Sequence, residues 1–257
     1  MTEYNKIKTE LKQNEQVLTI TLNAPKGNVL DGEMMTEIVD VLQKIARRSS
    51  IKGVVFQGEG KHFSFGASVP EHQKKYVATM LRTFHTLFRI MIETGKPTIA
   101  IVNGQCLGGG LELAAFCNWI FAAKEAQFGQ PEIKLAVFPP VASLVLPHRI
   151  GQSAADDLVL TGRSISAQEA KQLGLVHSVS TDPLAEAEAY IESHILPQSA
   201  TALEFTLKSS RYEMHKAFLE NIDAVEKMYV HELMETDDAN EGITAFLEKR
   251  KPEWQNR

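Results

Sequence analysis

NGQCLGGGLELAAFC, residues 103–117, places three consecutive glycines and one glutamate inside an apolar run. The preceding residues PTIAIV predict a buried strand, so the segment predicts a strand, a glycine turn and the start of a helix. Glycine in a helix interior costs about 1 kcal/mol relative to alanine, and an unpaired buried carboxylate costs several kcal/mol more. Such residues call for a compensating role in this segment.

One such role is to let backbone N–H groups donate hydrogen bonds to a ligand. The first turn of a helix has unpaired N–H groups, and the helix dipole adds positive potential there. Glycines allow a ligand to approach the backbone, so the N–H of Gly109 is a candidate donor to a developing oxyanion. The alternative is that the glycines only permit tight packing of the turn. A nucleotide site is disfavoured, because neither the phosphate-loop pattern nor the dinucleotide fingerprint is present.

A second glycine turn occurs in GKHFSFGASVPEH, residues 60–72, after the predicted strand VVFQG. Gly66 followed by the small residues Ala67 and Ser68 can expose another backbone N–H. Two turns that each offer one N–H can form a two-donor site for a carbonyl oxygen, as thioester and enolate chemistry requires.

Two glutamates occupy apolar surroundings. Glu112 falls in the first turn of the predicted helix between two leucines, and Glu132 falls in the loop AQFGQPEIKLAVFPP. Apolar flanks raise a carboxyl pKa, which suits proton transfer near neutral pH. If the two carboxyls converge, they form a pair that can handle water. For Glu112 alone, a purely electrostatic role at a helix N-terminus is the alternative.

Strand-like and helix-like segments alternate through the first half of the chain, which is typical of an α/β fold. Strands are predicted in EQVLTITLN, IKGVVFQG and PTIAIVNG, and helices in EMMTEIVDVLQKIARR and KYVATMLRTFHTLFRIMIETG. WIFAAKEAQFGQPEIKL then predicts two short strands and a loop. From about Leu184 onward amphipathic helices dominate. We therefore expect a core of residues 1–190 and a helical tail of residues 191–257, whose apolar stripes need a partner surface on the core or on a neighbouring subunit.

Composition limits the class of protein. The chain has 257 residues, of which 44% are hydrophobic and 23% charged, and no apolar run reaches the roughly 18 residues of a membrane span. The polar N-terminal stretch lacks a secretory pattern, so we expect a cytoplasmic protein without membrane contact. A net charge of −5 argues against nucleic-acid binding. Cys106 and Cys117 are predicted to be reduced thiols on one helix face, and no histidine spacing indicates a metal site.

The sequence resembles the crotonase (enoyl-CoA hydratase/isomerase) superfamily over essentially its whole length. The matching segments are LNAPKGNVLD, GKHFSFGAS, KPTIAIVNGQCLGGGLELAAFC, AQFGQPEIKL, LTGRSISAQEAKQLGLV and EGITAFLEKRKPEW. The resemblance implies an α/β fold with a crotonase-like ββα-superhelix spiral core and a C-terminal helical tail. It also implies a hydro-lyase that acts on an acyl-CoA thioester, without a separate cofactor.

The resemblance also implies site residues. The backbone N–H groups of Ala67 and Gly109 would hold the thioester oxygen, and Glu112 and Glu132 would hold and activate water. Further CoA and substrate contacts are implied at Lys26, Ser68, Val69 and Gly108. A homotrimer or a hexamer of paired trimers is implied, with residues 191–257 at the subunit interface and the basic cluster 249–251 near the CoA phosphates.

Two positions depart from the ordinary hydratase pattern. Ser68 replaces the usual acid after the Gly-Ala turn, and Pro140, which has no N–H, replaces a common glycine. FSFGASVPEH and FGQPEIKLAVFPPVASLVLPHRIG resemble the hydratases of cyclic conjugated dienoyl-CoA thioesters in anaerobic benzoyl-CoA degradation, which predicts this reaction. The alternatives are a hydratase or isomerase of linear acyl-CoA and, in another class, a non-catalytic or RNA-binding homologue. Phe84, His85, Phe88 and Phe138 are candidate contacts of the ring, although each also suits plain core packing.

Overall fold

In a computed structural model, residues 3–24 and 26–257 are described, and Met1, Thr2 and Pro25 lie outside the described residues. The strands are β1 Ile7–Lys12, β2 Val17–Leu22, β3 Gly53–Gly58, β4 Thr98–Val102, β5 Gln105–Leu107, β6 Trp119–Ala123, β7 Gln127–Gly129, β8 Ser164–Ser166 and β9 Ser178–Ser180. The α-helices are α1 Gly32–Ala46, α2 Val77–Thr94, α3 Gly109–Phe116, α4 Pro140–Ile150, α5 Gln152–Thr161, α6 Ala167–Gln172, α7 Pro183–Tyr190, α8 Ala200–Ser210, α9 Tyr212–His231 and α10 Asp237–Glu248. Short 3₁₀ turns span Val69–His72, Pro131–Leu135 and Leu233–Glu235, and a π turn spans Ile191–Ile195.

The strands form two sheets. A six-stranded sheet has the order β1-β2-β3-β4-β6-β9 and is parallel except for the antiparallel β1–β2 pair. A three-stranded sheet has the order β5-β7-β8. The chain passes from β4 to β5 through Asn103 and Gly104. The segment of residues 103–117 therefore begins where the chain crosses from the first sheet to the second. The predicted α/β core is confirmed, and β1 is an additional edge strand that its polar sequence did not reveal.

The glycine stretch forms the predicted sequence of a strand, a glycine turn and the start of a helix. Strand β4 is buried along its whole length, and α3 begins at Gly109. Gly108 has φ +50°, a backbone conformation that favours glycine. The prediction for the cysteines is half wrong: both are buried and free, but Cys106 lies in β5 and Cys117 caps α3, so they do not share a helix face. The helix begins only at Gly109, three residues after Cys106, so it cannot align the two cysteines.

The C-terminal helices share one hydrophobic core with the sheets. Phe218, Ile222 and Tyr229 of α9 are buried against the core, and α9 packs on α2 and α4. Residues 183–195 form one continuous helical segment, so the expected boundary between residues 190 and 191 falls inside it. Other apolar side chains of the tail stay exposed on the single chain, among them Phe205, Leu219, Met228, Phe246 and Trp254.

Candidate active site

The two glycine turns meet behind one cavity. A β-carbon placed on Gly66 would lie 2.9 Å from the carbonyl oxygen of Leu107, and one placed on Gly109 would lie 3.2 Å from the nitrogen of Ala67. A side chain at Gly66 would collide with backbone, and one at Gly109 would force its neighbours to shift by a few tenths of an ångström, so both positions favour glycine. Ser64 secures the first turn, because its hydroxyl donates to the Asn28 carbonyl at 2.7 Å and accepts from the Gly66 N–H at 3.0 Å.

The two predicted backbone donors are adjacent and unused. Neither the Ala67 N–H nor the Gly109 N–H donates a hydrogen bond to any group of residues 3–24 and 26–257. Gly109 is the first residue of α3, so its N–H has no acceptor within the helix. The neighbouring donors are engaged, since Gly108 N–H bonds the Gly129 carbonyl at 2.9 Å. Two free N–H groups at this point suit a carbonyl oxygen that gains negative charge.

Glu112 is buried, with 3% of its surface exposed. Its Oε1 accepts a hydrogen bond from the Ala142 N–H at 2.8 Å, and the Val141 N–H bonds the same carboxyl. Both donors lie in the first turn of α4. Burial raises the pKa of Glu112 to about 7, and the two backbone hydrogen bonds limit the rise. The carboxyl can therefore take or give a proton near neutral pH.

Glu132 follows β7 in the 3₁₀ turn Pro131–Leu135. Its Oε1 lies against Gly108, where a β-carbon would come within 2.7 Å. The buried Gln130 amide, oriented with its nitrogen toward Glu132, donates to that carboxyl at 3.0 Å. Burial, together with the negative charge of Glu112, raises the pKa of Glu132 well above its ordinary value of 4.5. The two glutamates, 20 residues apart in sequence, are thus electrostatic neighbours.

The cavity at this point has a volume of about 500 Å³, within the usual range for a small-molecule site. It is lined by Phe65, Gly66, Ala67, Val69, His72, Leu107, Gly108, Pro131, Glu132, Lys134, Leu135, Val137, Gly242, Phe246, Arg250 and Pro252. Four residues predicted from the sequence, namely Ala67, Val69, Gly108 and Glu132, lie on its wall. Gly109 and Glu112 are buried and do not line it.

Two predicted contacts lie off the cavity wall. Lys26 lines a neighbouring groove of about 610 Å³ that shares Phe65 with the cavity. Ser68 precedes the 3₁₀ turn Val69–His72, and its carbonyl oxygen lies 2.8 Å from the His72 ring nitrogen. The Ser68 backbone thus helps to hold this turn, and its contact with the substrate stays a prediction.

The aromatic residues considered for a ring pocket do not line the cavity either. Phe84 and Phe88 pack edge to face in the core, with ring centroids 4.9 Å apart. His85 is buried, and its Nδ1 lies 2.6 Å from Glu226. Phe138 packs against a tyrosine of α9. The larger apolar side chains of the wall lie instead close to the two turns and in the tail. They are Phe65, Val69, Leu107, Leu135, Val137 and Phe246, together with Pro131 and Pro252.

The basic cluster 249–251 contributes one side chain to the cavity. Arg250 lines it, and its guanidinium bonds Glu241 at 2.7 Å and Glu248 at 2.6 Å. Lys249 and Lys251 are exposed and are not part of the wall. Lys134, two residues after Glu132, supplies a second positive charge at the wall, and no sequence motif singled it out.

One polar residue near the glutamates was missed by sequence reasoning. Tyr229 of α9 has a buried hydroxyl, and its ring packs on Phe138 with centroids 5.1 Å apart. It lies 97 residues beyond Glu132 in an ordinary amphipathic helix. No local motif marks it, because its position follows only from the packing of α9 on α4.

Nearly the whole chain matches known proteins. The family model Enoyl-CoA hydratase/isomerase matches residues 12–257. A cyclohexa-1,5-dienecarbonyl-CoA hydratase from Thauera aromatica is 42% identical over 98% of this chain and 97% of its own. A 2,3-dehydroadipyl-CoA hydratase from Escherichia coli (strain K12) is 35% identical over 96% of this chain and 98% of its own. The crystal structure of an enoyl-CoA hydratase from Mycobacterium avium subsp. paratuberculosis K-10 superimposes with a TM-score of 0.83 at 25% identity, covering 99% of this chain and 100% of the other.

The chain therefore belongs to the enoyl-CoA hydratase/isomerase family, the crotonases. The predicted fold is confirmed by this structural match. The predicted class of enzyme, a hydro-lyase of the enoyl-CoA hydratase type, agrees with the relatives. Within the described residues, no helix is both long and apolar enough to cross a membrane.

Proposed function

We propose that this enzyme adds water to cyclohexa-1,5-diene-1-carbonyl-CoA and forms 6-hydroxycyclohex-1-ene-1-carbonyl-CoA, as a step of anaerobic benzoyl-CoA degradation. The observation that carries the proposal is the pair of neighbouring glutamates, buried Glu112 and the half-buried, cavity-lining Glu132, beside the free N–H groups of Ala67 and Gly109. The 42% identity to the Thauera aromatica hydratase supports the cyclic substrate. The reaction uses no cofactor other than the CoA that the substrate carries.

The thioester oxygen binds between the Ala67 and Gly109 N–H groups in this proposal. The oxygen of water bonds to the ring carbon β to the carbonyl, and the electrons of that double bond move toward the thioester oxygen. The resulting dienolate is stabilised by the two donors, each of which is worth about 3 kcal/mol in comparable sites. Protonation at the far end of the second double bond then restores the carbonyl and leaves one ring double bond.

The environments of the two glutamates favour different roles. Glu112 receives two backbone hydrogen bonds and has a pKa of about 7, so it carries the negative charge more readily and accepts the proton of water. Glu132 has a pKa well above 4.5 because of burial and the charge of Glu112, so it holds a proton and delivers it to the ring. One proton enters the pair and one leaves it, so each turnover restores the charge of the pair.

Hydration of a linear enoyl-CoA is the second candidate, because the Escherichia coli relative and several probable enoyl-CoA hydratases are 32–36% identical to the chain. The same two donors and two carboxyls serve that reaction. The candidates differ in the shape of the acyl group, so rates on the cyclic diene and on crotonyl-CoA separate them.

We also propose that the chain forms a trimer or a hexamer through the tail of residues 191–257. The exposed apolar side chains of the tail, such as Phe205 and Leu219, favour burial against another subunit. CoA would lie along the cavity mouth, with Arg250 and Lys134 near its phosphates and Lys26 in the adjoining groove.

Single glutamine variants test the reaction. Glu112→Gln and Glu132→Gln keep the side-chain shape but remove proton transfer, so we expect kcat on the cyclic diene to fall at least 100-fold in each. Glu125→Gln, which changes an exposed glutamate between β6 and β7, is the matched control and should retain the wild-type kcat. If both Glu112→Gln and Glu132→Gln fold and retain near-full turnover, the paired-carboxylate mechanism is wrong.

A further inference from the structure

Tyr229 carries a polar group that its surroundings do not satisfy. The residue is 1% exposed, and its hydroxyl has no hydrogen-bond partner in residues 3–24 and 26–257. A buried tyrosine hydroxyl normally finds a partner, because leaving it unpaired costs free energy. The ring is held edge to face against Phe138, with centroids 5.1 Å apart and planes at 64°.

Tyr229 lies beside the glutamate pair, because its ring packs on Phe138, which lies just before the start of α4, whose Ala142 N–H bonds Glu112. Burial raises the pKa of Tyr229 well above its ordinary value of 10.0, and the negative charges of Glu132 and Glu112 raise it further. Both carboxyls are thus close enough to act on the phenol, although neither accepts its hydrogen bond. The phenol stays protonated at physiological pH and remains a hydrogen-bond donor.

The backbone N–H groups at the start of α4 are either absent or already hydrogen-bonded. The start of α4 approaches the pair, but Pro139 and Pro140 have no N–H. The next two N–H groups, of Val141 and Ala142, both bond Glu112. The N–H of Ser143 bonds the Pro139 carbonyl at 3.0 Å. The first turn of α4 therefore offers no free donor to a water molecule between the carboxyls.

We propose that Tyr229 is a further catalytic residue whose hydroxyl donates a hydrogen bond to the oxygen of the reacting water. This inference rests on the proposed hydration. The water then gives one proton to Glu112, accepts one hydrogen bond from Tyr229 and uses its remaining lone pair to attack the ring. Tyr229 keeps its own proton throughout, so its contribution is to fix the position and the direction of the lone pair.

Tyr229→Phe tests the inference, because it removes the hydroxyl and keeps the ring that packs on Phe138. We expect kcat to fall about 10- to 100-fold with KM within about twofold, since the lost hydrogen bond is to the water and not to the CoA thioester. The melting temperature should stay equal or rise, because an unpaired buried hydroxyl is removed. Tyr212→Phe, at the exposed start of the same helix, is the matched control and should leave kcat unchanged. A Tyr229→Phe enzyme with kcat within twofold of the wild type overturns the inference.

A second measurement separates this inference from the proposed function. The protein is labelled with [ζ-¹³C]tyrosine, and the Tyr229 resonance is assigned by its loss in Tyr229→Phe. Glu112→Gln should move that resonance near pH 8, whereas the exposed Glu125→Gln should not. A resonance that does not respond to Glu112→Gln overturns the inference. A resonance that does respond, in a protein that hydrates neither the cyclic diene nor crotonyl-CoA, refutes the proposed function and keeps Tyr229 in the site.

Discussion

Ionisation of the Glu112 carboxyl should lower the free energy of unfolding, by an amount that follows from its raised pKa. Burial raises the pKa of Glu112 from 4.5 to about 7. At 1.4 kcal/mol per pKa unit, this rise corresponds to about 3 kcal/mol of unfolding free energy. The folded-state pKa lies above the unfolded value, so this contribution to stability is fully present below about pH 4.5. It is lost as the pH rises through about 7.

The perturbation is Glu112→Gln made in a Glu132→Gln background, so that the second carboxyl does not ionise in place of the first. Relative to the Glu132→Gln protein, the double variant should gain about 3 kcal/mol between pH 4.5 and pH 8.5. The amide oxygen of glutamine still accepts one backbone N–H, and the weaker bond lowers stability by a roughly constant 1–2 kcal/mol at high pH. We therefore expect a net gain of about 1–2 kcal/mol at pH 8.5.

Urea unfolding at fixed protein concentration measures this difference, because linked association would otherwise shift the midpoints. The same comparison with Glu125→Gln in place of Glu112→Gln is the control, and its stability difference should be small at every pH. The reasoning is refuted if the difference in unfolding free energy between the Glu132→Gln protein and the double variant stays constant from pH 4.5 to 8.5. Glu112 would then not be a buried carboxyl with a raised pKa.

Three further predictions concern the donors, the CoA contact and the assembly. Gly109→Ala places a β-carbon 3.2 Å from the Ala67 nitrogen, so kcat in a steady-state assay should fall 100-fold or more. Gly32→Ala is the control, because the nearest atom to its β-carbon is 3.7 Å away, and it should leave kcat nearly unchanged. Arg250→Gln should raise KM for the thioester about tenfold without changing kcat, and an unchanged KM would remove Arg250 from the CoA site. Light scattering should give the mass of three or six chains, and a monomer at micromolar concentration would contradict the proposed role of residues 191–257.

The chemistry of the site was readable from sequence because it depends on local signals. A strand followed by glycines and a helix start identified Gly109. A similar turn at Gly66 indicated a second donor, and the family resemblance assigned it to Ala67. Glu112 and Glu132 stood out as carboxylates in apolar segments. Their closeness was not readable, since it depends on how the loop after β7 returns to Gly108.

Other features escaped because they depend on tertiary packing. Strand β1 has a polar sequence and is held in the sheet by its antiparallel pairing with β2. The walls of the cavity come partly from α10, more than 100 residues beyond Glu132, and the aromatic residues proposed for a ring pocket lie in the core instead. Tyr229 looks like one member of an apolar stripe, and only the packing of α9 on α4 brings it toward the carboxyls.

A competition experiment tests the central claim most directly. Equal concentrations of cyclohexa-1,5-diene-1-carbonyl-CoA and crotonyl-CoA are mixed with the purified protein, and mass spectrometry follows the gain of one water on each thioester. The proposed function predicts that the cyclic diene is hydrated first, with kcat/KM at least about 100-fold higher than for crotonyl-CoA, a difference of about 3 kcal/mol in transition-state binding. Faster hydration of crotonyl-CoA, or no hydration of the diene, would contradict it.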